Sequence, residues 1–223
     1  MYARKPRHRL LALILLLLLT VGSIAGTVVA KYVTSKKITG AVTFSAEMAE
    51  NLQLLEHQAE RTAAGDYKLL DATVTEQTYT LMPGVDIKKD PHVIITGKSP
   101  IKAYLFVEVL DTLDLLWSEG SETPFKPVTY ELTDNWLRLE GVSTKEGGSV
   151  YVYSVDGVNP AEIDDTDMTG NKMTIYLLKE NSVTVSQYIS KHDKKTDILS
   201  FSARLSEVIE GKSAAQIYAD LFA

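Results

Sequence analysis

Apolar and polar residues alternate over most of the chain after residue 66. The clearest run is "KAYLFVEV", whose apolar positions on one side are Ala103, Leu105, Val107 and Val109. A second run has the same spacing at Leu199, Phe201, Ala203 and Leu205. A period of two residues is typical of a strand with one buried face. We count about nine such strands between turn signals, a spacing that predicts an all-β sandwich.

Two segments have the spacing of a helix instead. In residues 47–61 the apolar positions Met48, Leu52, Leu55 and Ala59 fall three or four apart, which predicts an amphipathic helix near the start. Near the end, "AAQIYADLF" follows Ser213, and Gln216 stands three residues after that serine. This is the spacing of a capping box and predicts a C-terminal helix. Residues 128–132 and 135–141 look like a short hairpin.

The first thirty residues have the pattern of an export signal. Four basic residues precede an uncharged stretch over residues 10–30. One interpretation is cleavage by a signal peptidase between Ala30 and Lys31, with Ser23 and Ala25 marking a second candidate site. The other is an N-terminal membrane anchor, because the whole stretch reaches the ~20 residues of a typical span. Both interpretations place residues 31–223, a single predicted domain, outside the cytoplasmic membrane.

Charge and cysteine content narrow the class of protein. The chain after Ala30 keeps all 29 acidic residues and 19 of the 23 basic ones, for a formal charge of −10. This charge argues against nucleic acid as a partner, and contact with a membrane is expected only through residues 10–30. The chain has no cysteine, so an exported domain must be held together by its hydrophobic core. Export without cysteine suits a Gram-positive envelope better than an animal secretory route.

Motifs for catalysis are missing from the sequence. There is no H-E-x-x-H, no G-x-S-x-G and no thiol nucleophile. Since no ligand spacing joins the four histidines, we expect each to be a solvated surface residue or a neighbour of a turn: His8, His57, His92 and His192. We therefore predict no catalytic residue and no cofactor.

Two weaker signals each leave two interpretations open. Asp165, Asp167 and Thr169 resemble the start of a Ca²⁺-binding loop, but Tyr176 stands where the bidentate glutamate belongs. The alternative, which we favour, is a solvated hairpin loop. Tyr151 and Tyr153 lie on one face of a predicted strand over residues 149–155. Such tyrosines form either a contact surface for a carbohydrate or protein, or the edge of the core.

Three segments together resemble a known family. They are "YTLMPGVDIKKDPHVIITGKSPIKAYLFVEV", the pair "VTYEL" and "NWLRL" followed by "VYVYSV", and the ending "SFSARLSEVIEGKSAAQIYADLF". They are similar to the camelysin/TasA group of exported proteins of Gram-positive bacteria, which carry a specialised type of signal peptide. The best-matching parts are the Lys89-Asp90-Pro91 step and the closing strand plus helix. The resemblance implies a mainly β fold, a jelly-roll-like antiparallel β-sandwich.

The resemblance also implies a function. The expectation is a secreted or cell-surface structural protein of the envelope or biofilm matrix, whose partners are further copies of itself or other envelope and matrix proteins. Fibres would form when the N-terminal segment of one subunit adds as a strand to the next, with Val42, Phe44 and Ala46 filling pockets in the neighbour. Alternatively, this segment pairs with its own sandwich. Other functions left open are an exported metal-dependent protease or wall-associated hydrolase, and an adhesin-like binding module.

Overall fold

The computed structural model describes residues 29–33, 52–80, 82–97, 101–111, 125–126, 128–188 and 199–222. The signal segment before residue 29 and the predicted assembly residues Val42, Phe44 and Ala46 lie outside these ranges. His8 and His192 also lie outside them. Within the described residues, no helix has the length and apolar character needed to cross a membrane.

Strands dominate the described part of the chain. In order they are β1 (Val29–Val33), β2 (Leu52–Arg61), β3 (Tyr67–Val74), β4 (Glu76–Thr80), β5 (Ile87–Lys88), β6 (His92–Thr96), β7 (Ala103–Asp111), β8 (Val128–Thr129), β9 (Trp136–Ser143), β10 (Ser149–Tyr153), β11 (Glu162–Ile163), β12 (Lys172–Tyr176), β13 (Ser182–Val185) and β14 (Leu199–Glu207). Two 3-10 turns cover Asp165–Asp167 and Lys179–Asn181, and one helix, α1, covers Ala214–Leu221.

Two larger sheets and two smaller ones form from these strands, and every strand pairing is antiparallel. The first large sheet has the order β12-β6-β2-β3. In the second, β14 lies along one edge of β7, β10 and β11 lie along the other, and β9 follows β10. The smaller sheets are β5-β13-β8 and β1-β4. The predicted fold class is confirmed: mainly β, with antiparallel sheets in a sandwich-like arrangement and a C-terminal helix.

The main core fills the space between the two large sheets. It takes Leu105 and Val107 from β7, Phe201 from β14, and Val93 and Ile95 from β6, all of them buried. The opposite face of β7 is also covered, because α1 packs there. A second cluster forms beneath the helix from Phe106, Leu139, Val150, Val152, Ala214 and Tyr218. Burial on both faces explains why apolar side chains stand at consecutive positions of β7, Leu105, Phe106 and Val107.

The C-terminal helix begins where the sequence predicts. The Gln216 backbone N–H donates to Ser213 Oγ at 3.3 Å, and the Ser213 N–H donates to Gln216 Oε1 at 2.9 Å. The predicted capping box is therefore confirmed.

The predicted helix near the start is wrong, because residues 52–61 form strand β2 between β3 and β6. Leu52 and Leu54 point into the core with the alternation of a strand, but the next inward position is the charged Glu56. The register with β3 then shifts between His57 and Ala59. The buried charge of Glu56 and the register shift interrupt the apolar alternation of β2. The remaining apolar residues therefore fall three or four positions apart, which is the spacing of a helix.

The short hairpin over residues 128–141 is also wrong. β8 pairs with β13, and β9 pairs with β10 around the turn at residues 144–148. The strands themselves exist, but their partners lie elsewhere in the sequence.

Candidate functional site

Two consecutive residues of β2 meet two consecutive residues that lead into β6. Glu56 and His57 project to opposite faces of β2, as neighbours on a strand must. Glu56 points inward to Lys89, whose Nζ donates to Glu56 Oε2 at 2.6 Å. His57 points outward to Asp90, and the two side chains are joined at 2.5 Å between Nδ1 and Oδ2. The Lys89-Asp90-Pro91 segment therefore contacts both faces of β2 just before β6 begins.

The inner pair is almost completely enclosed. The side chains of Lys89 and Glu56 are 3% and 0% exposed. Burial raises the pKa of Glu56, against the opposing effect of Lys89. Burial lowers the pKa of Lys89 to about 8, against the opposing attraction of Glu56. Lys89 Nζ also lies 4.7 Å from the ring centroid of Tyr79, a favourable cation–π position. Burial likewise raises the pKa of Tyr79.

The outer cluster consists of His57, Asp90 and His92. One ring nitrogen of each histidine and one carboxylate oxygen of Asp90 lie within 4.8 Å of one another. Asp90 holds both rings, since its carboxylate binds His57 Nδ1 and its backbone oxygen lies 2.8 Å from His92 Nδ1. The two imidazole centroids are 5.4 Å apart. Two imidazoles and a carboxylate are ligand types that transition metals accept.

Of the two environments predicted for His92, the solvated surface is wrong. His92 is only 3% exposed. The ring of Tyr176, its antiparallel partner on β12, lies 5.2 Å from the His92 ring. His57 remains accessible, with 30% of its side chain exposed. One sequence signal could have found two of the three residues: Asp90 and His92 stand two positions apart in the chain.

The last residue pair between β2 and β6 is Leu55 with His92. Beyond it, side chains form hydrogen bonds with the backbone N–H and C=O groups of β2. The His57 N–H donates to Asp90 Oδ1 at 2.8 Å. Further along, the Gln77 amide accepts from the Ala59 N–H at 3.0 Å and donates to the Ala59 carbonyl at 2.5 Å. Because Gln77 belongs to β4, its side chain fixes β4 beside the first large sheet.

The predicted processing residues lie on the strand that pairs with β4. In β1, Ala30 stands opposite Tyr79 and Lys31 opposite Thr78. The ladder runs from Val29 to Val33 and joins five residue pairs. The proposed cleavage bond is therefore part of a strand pairing. Because Val42, Phe44 and Ala46 lie outside the described residues, their predicted assembly role stays a prediction.

A shallow groove of about 770 Å³ is lined in part by Tyr176, Glu131, Asp134 and Lys179. Lys179 Nζ lies 3.0 Å from Asp134 Oδ1 and 3.7 Å from Glu131 Oε2. The hydrogen bond to Asp134 raises the pKa of Lys179. Both carboxylates thus face one ammonium group, which suits a surface ion-pair network better than acid–base catalysis by paired carboxylates.

The Ca²⁺-like residues lie at the 3-10 turn Asp165–Asp167. Asp167 Oδ2 accepts from the Asp164 N–H at 2.9 Å, and Thr169 forms a bridge with Lys172. Asp164 in turn accepts from the Thr166 N–H at 2.8 Å. The carboxylates of Asp164 and Asp167 therefore organise the turn itself. Among the described residues, the cluster of three histidine or carboxylate ligands lies elsewhere, at His57, Asp90 and His92.

Tyr151 and Tyr153 are half-buried and pack against the main core. The Tyr153 ring meets Trp136 edge-on, with 6.1 Å between the centroids. This is the geometry expected of residues at the edge of the core.

Comparison of the chain with protein-family models, with curated proteins and with solved structures finds no match. The class of this protein therefore follows from its fold and its candidate site. The molecule is an antiparallel β-sandwich in which a buried ion pair and a histidine–aspartate–histidine cluster join β2 to β6.

Proposed function

We propose that this chain is a non-enzymatic structural protein of the cell surface or extracellular matrix of a Gram-positive bacterium, and that it assembles by strand addition at β4. The observation that supports the proposal is the β1–β4 ladder. This ladder includes Ala30 and Lys31, between which the sequence predicts cleavage by a signal peptidase.

Cleavage at this bond would change the edge of β4. Val29 and Ala30 would leave with the signal peptide, and their partners Thr80 and Tyr79 would lose the opposing strand. Unpaired backbone groups on a strand edge are a template for another strand, and such pairing tolerates sequence variation. The N-terminal segment of a second subunit would supply that strand.

The position of β4 favours this role. Gln77 bonds the backbone of β2, and Tyr79 lies against Lys89 in the core. The acceptor strand is therefore held in place independently of β1. The formal charge of −10 after residue 30 opposes non-specific association, so contacts between subunits need the directional bonds of a backbone ladder.

The experiment begins with N-terminal sequencing of the protein recovered from the culture medium and from the cell envelope. Sedimentation and electron microscopy then compare the processed chain with a form that lacks residues 31–46. We expect the processed chain to form oligomers or fibres and the shortened chain to remain monomeric.

A matched pair of variants tests whether this segment binds as a strand. Phe44→Asp places a charge at a position predicted to enter a pocket of the neighbour, and Ser45→Asp places the same charge at the alternate position. Assembly should weaken at least tenfold with Phe44→Asp and change little with Ser45→Asp. Undiminished assembly without residues 31–46, or equal effects of the two charges, would reject the proposal.

The His57–Asp90–His92 cluster favours a second candidate, a metal-dependent hydrolase. This candidate expects chelator-sensitive cleavage of denatured protein or of wall material, lost in His57→Gln. Our proposal expects no such cleavage from the full chain, with or without added metal.

A further inference from the structure

We propose that His57, Asp90 and His92 bind one divalent transition-metal ion of the Zn²⁺ class, which cross-links β2 to the entry of β6. This inference rests on the geometry of the cluster and is independent of the proposed assembly.

The three ligands are already close together. One nitrogen from each imidazole and one oxygen of Asp90 lie within 4.8 Å of one another. Around a bound Zn²⁺, with bonds of ~2.0–2.2 Å, ligand atoms lie roughly 3–3.5 Å apart. Side-chain movements of about 1–2 Å therefore suffice, and they include a lengthening of the 2.5 Å contact between His57 Nδ1 and Asp90 Oδ2. The partly exposed side chain of His57 has room to move, while the buried His92 provides a fixed position.

The backbone carbonyl of Asp90 orients the His92 ring in the manner of known metal sites. Ligating histidines almost always hold one ring nitrogen on a carboxylate or a backbone carbonyl. Here the carbonyl of Asp90 lies at hydrogen-bond distance from His92 Nδ1, whereas its carboxylate contacts His57 Nδ1 directly and would serve as the third ligand. Pro91 fixes the backbone between Asp90 and His92, and its carbonyl accepts from the Leu177 N–H at 2.8 Å. Contacts within the chain therefore already fix the positions of Asp90 and His92.

The ligand types and the local charge select the class of ion. Two nitrogens and one carboxylate suit Zn²⁺ and its neighbours, whereas Ca²⁺ and Mg²⁺ prefer oxygen ligands throughout. Lys89, which directly precedes Asp90, faces Glu56 on the other side of β2 at 2.6 Å, so its charge is neutralised. The ion would enter past His57, and water would complete its coordination.

Such an ion would act as a cross-link in a chain that has no disulfide. His57 belongs to β2, and Asp90 lies 33 residues further along. The ion would therefore close a long loop at the point where β6 stops pairing with β2. Binding to the folded state alone would raise the stability of the fold.

The test uses the full chain, in detergent where the apolar N-terminal segment requires it. After removal of metal with a chelator, Zn²⁺ alone is titrated by calorimetry, and thermal unfolding is recorded with Zn²⁺ and with Ca²⁺. We expect one Zn²⁺ per chain and a rise in the unfolding temperature with Zn²⁺ but not with Ca²⁺. His57→Gln should weaken Zn²⁺ binding about 10- to 100-fold, as expected for loss of a ligand.

A control variant separates this site from the other carboxylates of the described residues. Asp167→Asn neutralises a carboxylate outside the cluster and should leave Zn²⁺ binding unchanged. If a ligand variant unfolds, the wild-type chain still decides the question, because nuclear magnetic resonance of its four histidines should show two of them shifting with Zn²⁺. Absence of Zn²⁺ binding, or equal binding by His57→Gln, would overturn the proposal.

Discussion

Glu56 occupies a position on β2 that would normally hold an apolar side chain. It follows Leu52 and Leu54 on the inward face and is fully buried. Its charge is tolerated because Lys89 reaches it from the chain before β6. Oε1 of Glu56 has no hydrogen-bond partner among the described residues, so the carboxylate depends mainly on that one contact. A buried ion pair of this kind adds little net stability, because the cost of removing both charges from water offsets their attraction.

Removing one partner of this pair should be costly. Lys89→Met leaves the Glu56 carboxylate enclosed without a counter-charge and should lower the free energy of unfolding by about 3–5 kcal/mol. The double variant Glu56→Met/Lys89→Met should recover most of this loss, because it buries no charge. Urea unfolding of the wild type, both single variants and the double variant gives the coupling energy. Additive losses would show that the pair does not act as a unit.

Helix α1 is joined to the second large sheet by a shared carboxylate. Glu108 lies on the outer face of β7 and accepts from the Tyr218 hydroxyl at 2.6 Å. Arg204 of β14 binds the same carboxylate, with Nη2 3.1 Å from Oε2. Beneath these polar contacts, Phe106 packs edge-on against the ring of Tyr218. The short helix therefore depends on tertiary contacts, as a helix of eight residues must.

The contact between α1 and the sheet should weaken at alkaline pH. Burial, followed by the hydrogen bond to Glu108, raises the pKa of Tyr218 above its ordinary value. The phenol in the unfolded chain titrates near pH ~10, before the folded one. Its contribution to stability is therefore complete below pH ~10 and is lost as the pH rises further.

Thermal unfolding of the wild type and of Tyr218→Phe, measured between pH ~8 and ~11, tests this expectation. The variant should be less stable at the lower pH, because the hydrogen bond is missing, and the difference should shrink above pH ~10. Tyr188→Phe, at an exposed tyrosine, is the control for loss of one phenol. A constant difference across this range would contradict the assignment.

The molecule as a whole obtains its stability from apolar burial, since it has no cysteine. The main core joins the inward faces of the two large sheets, and α1 covers a second apolar cluster on the outer face of β7. The C-terminal strand β14 contributes Leu199, Phe201, Ala203 and Leu205 to the main core. The end of the sequence is therefore needed to complete the sandwich.

A cavity in this core should destabilise the entire domain. Phe201 is fully buried, and Phe201→Ala should lower the free energy of unfolding by about 3–5 kcal/mol. Ser200→Ala, on the opposite face of the same strand, should change it by no more than about 0.5 kcal/mol. Denaturant unfolding measures both. A reducing agent should alter neither value, and a loss below about 1 kcal/mol for Phe201→Ala would contradict a shared core.

Sequence alone predicted much of the fold but little of the candidate site. The sequence predicts strand β7, the apolar face of β14 and the cap of α1 where the structure has them. Each depends on spacing between residues that are close in the chain. By contrast, the sequence predicts His57 on a helix and His92 at the surface or beside a turn, so their proximity could not be foreseen.

The amino-acid sequence by itself determined the β class, the C-terminal helix and the absence of disulfides, because periodicity, caps and composition are local properties. Only the tertiary structure decided that residues 52–61 form a strand, since β3 and β6 supply the pairing that overrides helical spacing. The same pairing joins Leu55 to His92 and so places His57 and Glu56 beside residues 89–92. The cluster exists because of a register between distant segments, and no local pattern encodes such a register.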